Sequence, residues 1–387
     1  MGAETWITIA GDEHDASYES SFLGRDFTHE IANVLLNRCI GLLFLITASC
    51  NLPASSAGKQ HVFINHEDGY NLFRIPTIIA TNNGKLLAFC EGRNNLFDNG
   101  NIDIVMKTSV DNGTTWSNIQ VIWNEGNNTC GNPSPVVNKA TGDIIVVATL
   151  NNDKVVMLRS TDEGSNWDKP KDITASVKST DWKWYAAGPV HAIQVGNGLY
   201  KNRIVIPCNH TVSGSNKHIS HVIYSDDNGN TWQLGGSLAA EQTDECTVAE
   251  ISDGQLLLNM RNSDRDLPNR KISISKDGGI TWSIPVFDTA LVEPVCQGAL
   301  LRYSFQPNVL LFSNPKHKKR RKNLTLSIST DNGKSWKKNI TICKKPSAYS
   351  DLVKLANGDI LCIFEAGKGL PYGGIFSAII KQKDILE

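Results

Sequence analysis

The sequence predicts an all-β fold, a six-bladed β-propeller with four antiparallel strands per blade. Two repeats carry that prediction. The first is the pattern Ser-x-Asp-x-Gly-x-(Ser/Thr)-Trp, found at Ser109 to Trp116, Ser160 to Trp167, Ser225 to Trp232, Ser275 to Trp282 and Ser329 to Trp336, with Asn166 the one departure. Its aspartates are 51, 65, 50 and 54 residues apart, the length of one propeller blade rather than of a helical or leucine-rich repeat. The second is a set of short apolar runs led mostly by a glycine turn. They are Gly84 to Glu91, Gly142 to Leu150, Arg203 to Cys208, Gly254 to Met260, Asn308 to Phe312 and Gly358 to Phe364.

Continuous apolar runs bounded by turn residues read as strands covered on both faces. Six runs against five boxes predict six blades, one lacking a box, in a ring closed by strands from both ends of residues 60 to 387. Helix signal is sparse. Each run leads into polar groups: Glu91 and Arg93, Asn151 and Asn152, Asn209 and His210, Arg261 and Asn262, Ser313 and Asn314, and Glu365. If the runs are the inner strands, these groups meet at one end of the ring axis and form a site. The boxes read as structural. Their aspartates can accept backbone amides of their own turn, their glycines supply a conformation closed to other residues, and their tryptophans cover the hairpin.

Residues 1–60 read differently, as a leader. Cys39 to Ile46 is apolar but too short for a spanning helix, which needs about 20 apolar residues, and suits the apolar core of an export signal. The small residues before Cys50 resemble a lipoprotein cleavage box, which predicts export, with lipid anchoring as one form of it. A formal net charge of -1 builds in no general attraction to nucleic acid, so an anionic ligand must be held locally. The nine cysteines show no zinc spacing, and Cys90, Cys208 and Cys362 read as buried thiols. No obligate protein partner is evident.

Phe73-Arg74-Ile75-Pro76, followed by the five boxes, resembles the exo-α-sialidase (neuraminidase) family, six-bladed propellers with Asp-box hairpins, over about residues 70 to 380. The resemblance implies three arginines that grip the carboxylate of sialic acid: Arg74, Arg261 in Leu-Asn-Met-Arg261-Asn, and Arg321, with Arg320 and Arg302 as alternatives for the third. Planar guanidinium forks suit a carboxylate bidentately where lysine offers a point charge. Glu365 matches the glutamate that orients the first arginine and offsets the repulsion among the three. Arg93 is implied to contact the ligand towards the C4 hydroxyl and the carboxylate, and Asn132 in the region of the N-acetyl group and C4. Trp182, Trp184 and Tyr185 are candidates for shaping that end of the pocket, with core packing as the alternative. His191 and His210 lack metal spacing and are expected only to satisfy hydrogen bonds.

The same carboxylate explains the implied nucleophile, Tyr349 in Tyr349-Ser350-Asp351-Leu352. An anionic attacker would be repelled, and sialidases are the glycosidases that use tyrosine instead. A phenol with a pKa near about 10 needs a base. Glu245 is implied for that task, with Glu250 as its rival; five residues apart in one strand, the two face opposite sides. Asp98 is implied as acid/base catalyst, and Asp103 is its alternative. Hydrolysis of sialylated glycoconjugates by this route requires neither metal nor cofactor. Trans-sialidase activity and a non-catalytic glycan- or protein-binding propeller are the competing functions.

Overall fold

A computed structural model describes residues 59–387 except 216, 239 and 253. The expected leader lies outside the described residues up to residue 58, and Gln60 already opens a strand. The described residues fold into antiparallel sheets arranged as a ring, with two short helices among them, Thr174–Val177 and Gln382–Leu386. One sheet contains Leu72–Ala80, Leu86–Arg93, Ile102–Ser109 and Gln120–Trp123 in sequence order. Cys130–Val137 opens the next, and Thr243–Ser252 opens another four-stranded sheet. Between them lies a five-stranded sheet that includes Trp182–Ala187 and Ile204–Val212. The last sheet has seven strands because Lys338–Lys354, 17 residues long, pairs with Lys322–Ser329 through its first half and with Ile360–Ala366 through its second. Gln60–Ile64 joins this sheet beside the C-terminal strand Gly374–Ile380, so the two ends of the described chain are hydrogen-bonded together.

The apolar runs are strands, but not the inner ones, which corrects that expectation. They occupy the second position in each run of four successively paired strands, as Leu86–Arg93, Ile144–Leu150, Ile204–Val212, Gln255–Asn262, Val309–Pro315 and Ile360–Ala366, the last run beginning with the second half of Lys338–Lys354. The first strands of neighbouring sheets pack against one another around the axis. A second strand is flanked in its own sheet and covered on both faces by adjacent sheets, so it tolerates only apolar side chains along most of its length. Leu86, Leu87, Ala88, Phe89 and Cys90 are accordingly all fully buried. First strands line the axis and can carry polar groups there.

Asp351 shows how the axis is fastened. Its fully buried carboxylate accepts from Thr77 Oγ1 at 2.7 Å, Ile78 N at 3.0 Å and His191 N at 3.1 Å, and pairs with His191 Nδ1 at 2.6 Å. One side chain thereby ties three sheets, and buried polar groups of this kind hold only when they are satisfied. The other histidine singled out, His210, lies 3.0 Å from His221 between Nδ1 atoms and stacks on Trp182 at 3.4 Å. The seven cysteines among the described residues are free and buried.

The five repeats fold alike. In the first, Asp111 Oδ1 accepts from Thr115 N at 2.9 Å, Ser109 Oγ donates to Asp111 at 2.7 Å, and Gly113 N donates to Ser109 Oγ at 2.9 Å. Gly113 sits at φ +82°, and a Cβ there would lie 2.2 Å from Leu361 Cδ1 of the adjacent sheet. Gly164 meets Leu87 of its own neighbour in the same way. The glycine is therefore the point where each of these turns leans on the next sheet, and an added methyl would have to displace an apolar core residue.

Hydrogen bonds from Thr115 and Asn166 hold Asp111 and Asp162 down at about 2. A lowered carboxylate contributes stability above its unfolded pKa, near about 4, and loses it as pH falls toward the folded value, because the unfolded chain then binds more protons. Thermal midpoints should thus fall between pH ~4 and pH ~2, and less steeply in an Asp111→Asn/Asp162→Asn variant. Parallel curves for variant and wild type would exclude these turns as a source of the acid sensitivity.

Candidate active site

A cavity of about 680 Å³ opens at one end of the axis, lined by Arg74, Arg93, Asp98, Asn132, Glu245, Arg261, Arg321 and Tyr349 among others. Arg74, Asn132, Glu245 and Tyr349 come from first strands. Arg93 and Arg261 come from the ends of second strands, where the apolar run stops. Asp98 is on the exposed loop after Leu86–Arg93, and Arg321 immediately precedes Lys322–Ser329.

Tyr349 is the centre of this arrangement. Its hydroxyl donates to Glu245 Oε1 and lies 3.2 Å from Arg261 Nη1, which in turn donates to Glu245 Oε2 at 2.6 Å. The guanidinium carbons of Arg74 and Arg321 each stand 5.4 Å from the Tyr349 ring centre. Three guanidinium groups therefore surround one phenol. Burial and the Glu245 carboxylate push the Tyr349 hydroxyl well above its ordinary pKa, while Arg261 and Arg321 pull the other way. In the resting site the phenol keeps its proton, with a carboxylate already bonded to it.

The arginines are neutralised unequally. Glu365, wholly buried beneath the cavity, accepts from Arg74 Nε at 2.8 Å, Ile75 N at 2.9 Å and Tyr349 N at 3.3 Å. It thus fixes both the first arginine and the backbone of the tyrosine. Arg261 faces Glu245 and, at 3.5 Å from its Nε, Asp244. Arg321 has no carboxylate partner among the described residues; it donates to the Tyr372 hydroxyl at 3.1 Å and the Val295 carbonyl at 2.9 Å. The cavity consequently retains positive charge where an anion would bind, and low dielectric strengthens that attraction.

Backbone strain lies against the same groups. Ile75 and Val295 are β-branched residues at φ 60° and 54°, a conformation that costs on the order of 1–3 kcal/mol. A break in strand register between Arg74 and Thr77 accompanies the first. Glu365 captures the Ile75 amide, and Val295 offers the carbonyl that holds Arg321.

On the strand paired with that of Arg74, Glu91 accepts from Arg93 Nε at 2.7 Å and, through its other oxygen, from Asn132 N at 2.7 Å. Arg93 Nη1 also donates to Asp98 Oδ1 at 2.7 Å, and the same oxygen stands 4.0 Å from Arg74. Asp98 remains 81 % exposed, the one carboxylate of the group open to solvent.

The alternative residues make other contacts. Glu250 binds Gly196 N and Asn197 Nδ2 away from the cavity. Arg302 is spent on the Glu250 and Ile251 carbonyls, and Arg320 is exposed. Asp103 accepts from Tyr70 and Asn124. Trp184 lines the cavity, whereas Trp182 and Tyr185 pack in the core. Sequence reasoning missed Tyr372, which stacks 4.4 Å from the Arg74 guanidinium and holds Arg321, and gave Glu91 no role of its own. An aromatic in the glycine-rich Gly369-Leu-Pro-Tyr372-Gly-Gly374 loop was the only signal for the former.

A family model described as a BNR repeat-like domain matches residues 84–362. A sialidase of Bacteroides fragilis is 30% identical over 345 residues, covering 80% of this chain and 61% of the relative. An exo-alpha-sialidase of Aspergillus fumigatus is 30% identical over 340 residues, covering 74% of this chain and 78% of the relative. Among solved structures, a Hadza microbial sialidase, Hz136, superposes with TM-score 0.75 at 26% identity, covering 84% of this chain and 69% of that one. The chain belongs to the BNR-repeat sialidase family. It spans 61% of the Bacteroides fragilis relative and 53% of a sialidase of Micromonospora viridifaciens.

Proposed function

We propose that the protein is a retaining exo-α-sialidase that releases terminal sialic acid from glycoproteins, glycolipids or oligosaccharides. The observation that carries this is the Tyr349 hydroxyl bonded to Glu245 amid Arg74, Arg261 and Arg321. The arginines receive the substrate carboxylate. Tyr349 Oη attacks C2 as its proton passes to Glu245; the C2–O glycosidic bond breaks, and Asp98 protonates the leaving oxygen. Water then attacks C2 of the tyrosyl intermediate, giving a proton to Asp98, and Tyr349 recovers its own from Glu245. Glu365 positions Arg74 and the Tyr349 backbone. Arg93 contacts the C4 hydroxyl and the carboxylate, and Asn132 the N-acetyl and C4 region.

Six blades are part of the same reading, supported by the change of pairing partner halfway along Lys338–Lys354, which makes the seven-stranded sheet two blades in sequence. So is export, supported by the apolar run at residues 39 to 46.

The reading is tested with α2-3, α2-6 and α2-8 sialosides, measuring free sialic acid and any transfer product. Wild-type inactivity on all three linkages would overturn it. The Asp98 assignment has a sharper test. Asp98→Asn should lower kcat/KM for sialyllactose by about 10²- to 10⁴-fold, yet far less for an aryl sialoside whose phenolate leaves without a proton. Equal losses on both substrates would remove Asp98 from the acid role.

A further inference from the structure

A second cavity, of about 510 Å³, shares Leu96 and Tyr372 with the first. Leu96 lies on the Asp98 loop, so this space is on the side toward which the proposed acid expels the leaving group. Asn65 Nδ2 donates to the carbonyl of the shared Tyr372 at 2.9 Å, and Asn71 Nδ2 to the Asn94 carbonyl at 2.8 Å within the second cavity's own wall. Asparagines, His66 and Lys368 line it together with the exposed Leu370, and no carboxylate does.

Lys368 connects this cavity to a basic surface. Gly367 N donates to the Pro346 carbonyl at 3.3 Å, Ser347 N to the Arg321 carbonyl at 3.0 Å, and Lys322 pairs with Pro346. Three segments are thereby laced together, and each carries exposed cations: Lys318, Lys319 and Arg320 on one, Lys344 and Lys345 on the next, Lys368 on the third. Among the described residues none of these six forms an ion pair. In a chain of net charge -1, these six exposed cations make a local concentration of positive charge on segments that adjoin Arg321 and line the second cavity.

We propose that the second cavity and this basic surface form a subsite for an aglycone that is itself anionic, the following residues of a chain of linked sialic acids. The inference rests on the sialidase reading and extends it to substrate class. A neutral sugar needs only the hydrogen-bonding groups of the cavity. A carboxylate on each successive residue gains attraction from unpaired cations, an attraction that is long-ranged at low salt and screened within about 10 Å at 0.1 M.

The test compares kcat/KM for an α2-8-linked sialic acid oligomer with that for sialyllactose. At about 0.02 M salt the wild type should prefer the oligomer by roughly tenfold or more, and the ratio should approach one at about 0.5 M. Lys344→Glu/Lys345→Glu, both on the surface, should bring the low-salt ratio down to about the high-salt value, with Lys344→Arg/Lys345→Arg retaining the preference. A wild-type ratio insensitive to salt, or equal losses on both substrates in the glutamate variant, would overturn the subsite. Inhibition by single-stranded DNA as strong as by the oligomer at equal charge would overturn it in favour of a general polyanion surface. Wild-type inactivity on sialyllactose and oligomer alike would instead overturn the sialidase reading on which it rests.

Discussion

Tyr349→Phe is expected to lower kcat on an α-sialoside by about 10³-fold or more while leaving KM within a few-fold of wild type. The substitution removes one oxygen. The ring remains 5.4 Å from the Arg74 and Arg321 guanidinium carbons, and the backbone amide keeps its bond to Glu365, so the carboxylate site survives. What disappears is the atom that attacks C2 and the proton that Glu245 collects. A residual activity well above the uncatalysed rate is compatible with this, since the arginines and Asp98 still act. An equally active variant would show that Glu245 or water attacks directly. Glu245→Gln offers a matched comparison, because it keeps a hydrogen-bond acceptor for the phenol but cannot take its proton as readily; its kcat should fall without a large change in thermal midpoint.

Glu365→Ala is the second large effect, and it should appear in stability as well as in rate. The side chain is fully buried and accepts from one guanidinium and two backbone amides, one of them the strained Ile75. Removing it strands Arg74 as a buried cation beside empty space. Breaking a buried pair by deleting one partner typically costs about 3–5 kcal/mol, which in a domain of this size lowers the thermal midpoint by roughly 4–7 °C. Activity should fall with a raised KM, because Arg74 loses the group that orients it. Glu365→Gln should recover much of the stability and less of the carboxylate affinity. Should Glu365→Ala melt with the wild type, the ion pair is not the support that the geometry describes.

The contrast between the boxes and the site explains how much of this protein was legible beforehand. The repeats are local devices: Asp111 bonds to Thr115 and Ser109 within its own turn, so the pattern survives in eight consecutive residues. The apolar runs are equally plain, since a strand buried on both faces admits little else. Their place in the sheet was not legible, because burial on both faces is common to a first and a second strand until the packing of the ring is known. The site is assembled from residues far apart in the chain. Tyr349 and Glu245 meet across 104 positions and Arg74 and Glu365 across 291, so no spacing rule could pair them; resemblance to a known motif located each one singly. Tyr372 had neither help, as an aromatic on a turn, yet it holds two of the three arginines in place. Glu91 was visible as a polar residue at a strand end, but its double service to Arg93 and the Asn132 backbone depends on the next sheet. The rivals Glu245 and Glu250 were separable only by knowing which face of Thr243–Ser252 looks into the cavity.

The central claim is that the Tyr349 oxygen becomes covalently bonded to C2 of the substrate. Incubation with 2,3-difluorosialic acid tests it most directly: loss of the 2-fluoride drives formation of the adduct, and the fluorine at C3 slows its breakdown. Peptide mapping by mass spectrometry should then find one 3-fluorosialyl group, on Tyr349, absent from the Tyr349→Phe variant. An adduct on Glu245 or Asp98, or full turnover-dependent inactivation with no adduct on Tyr349, would contradict the account.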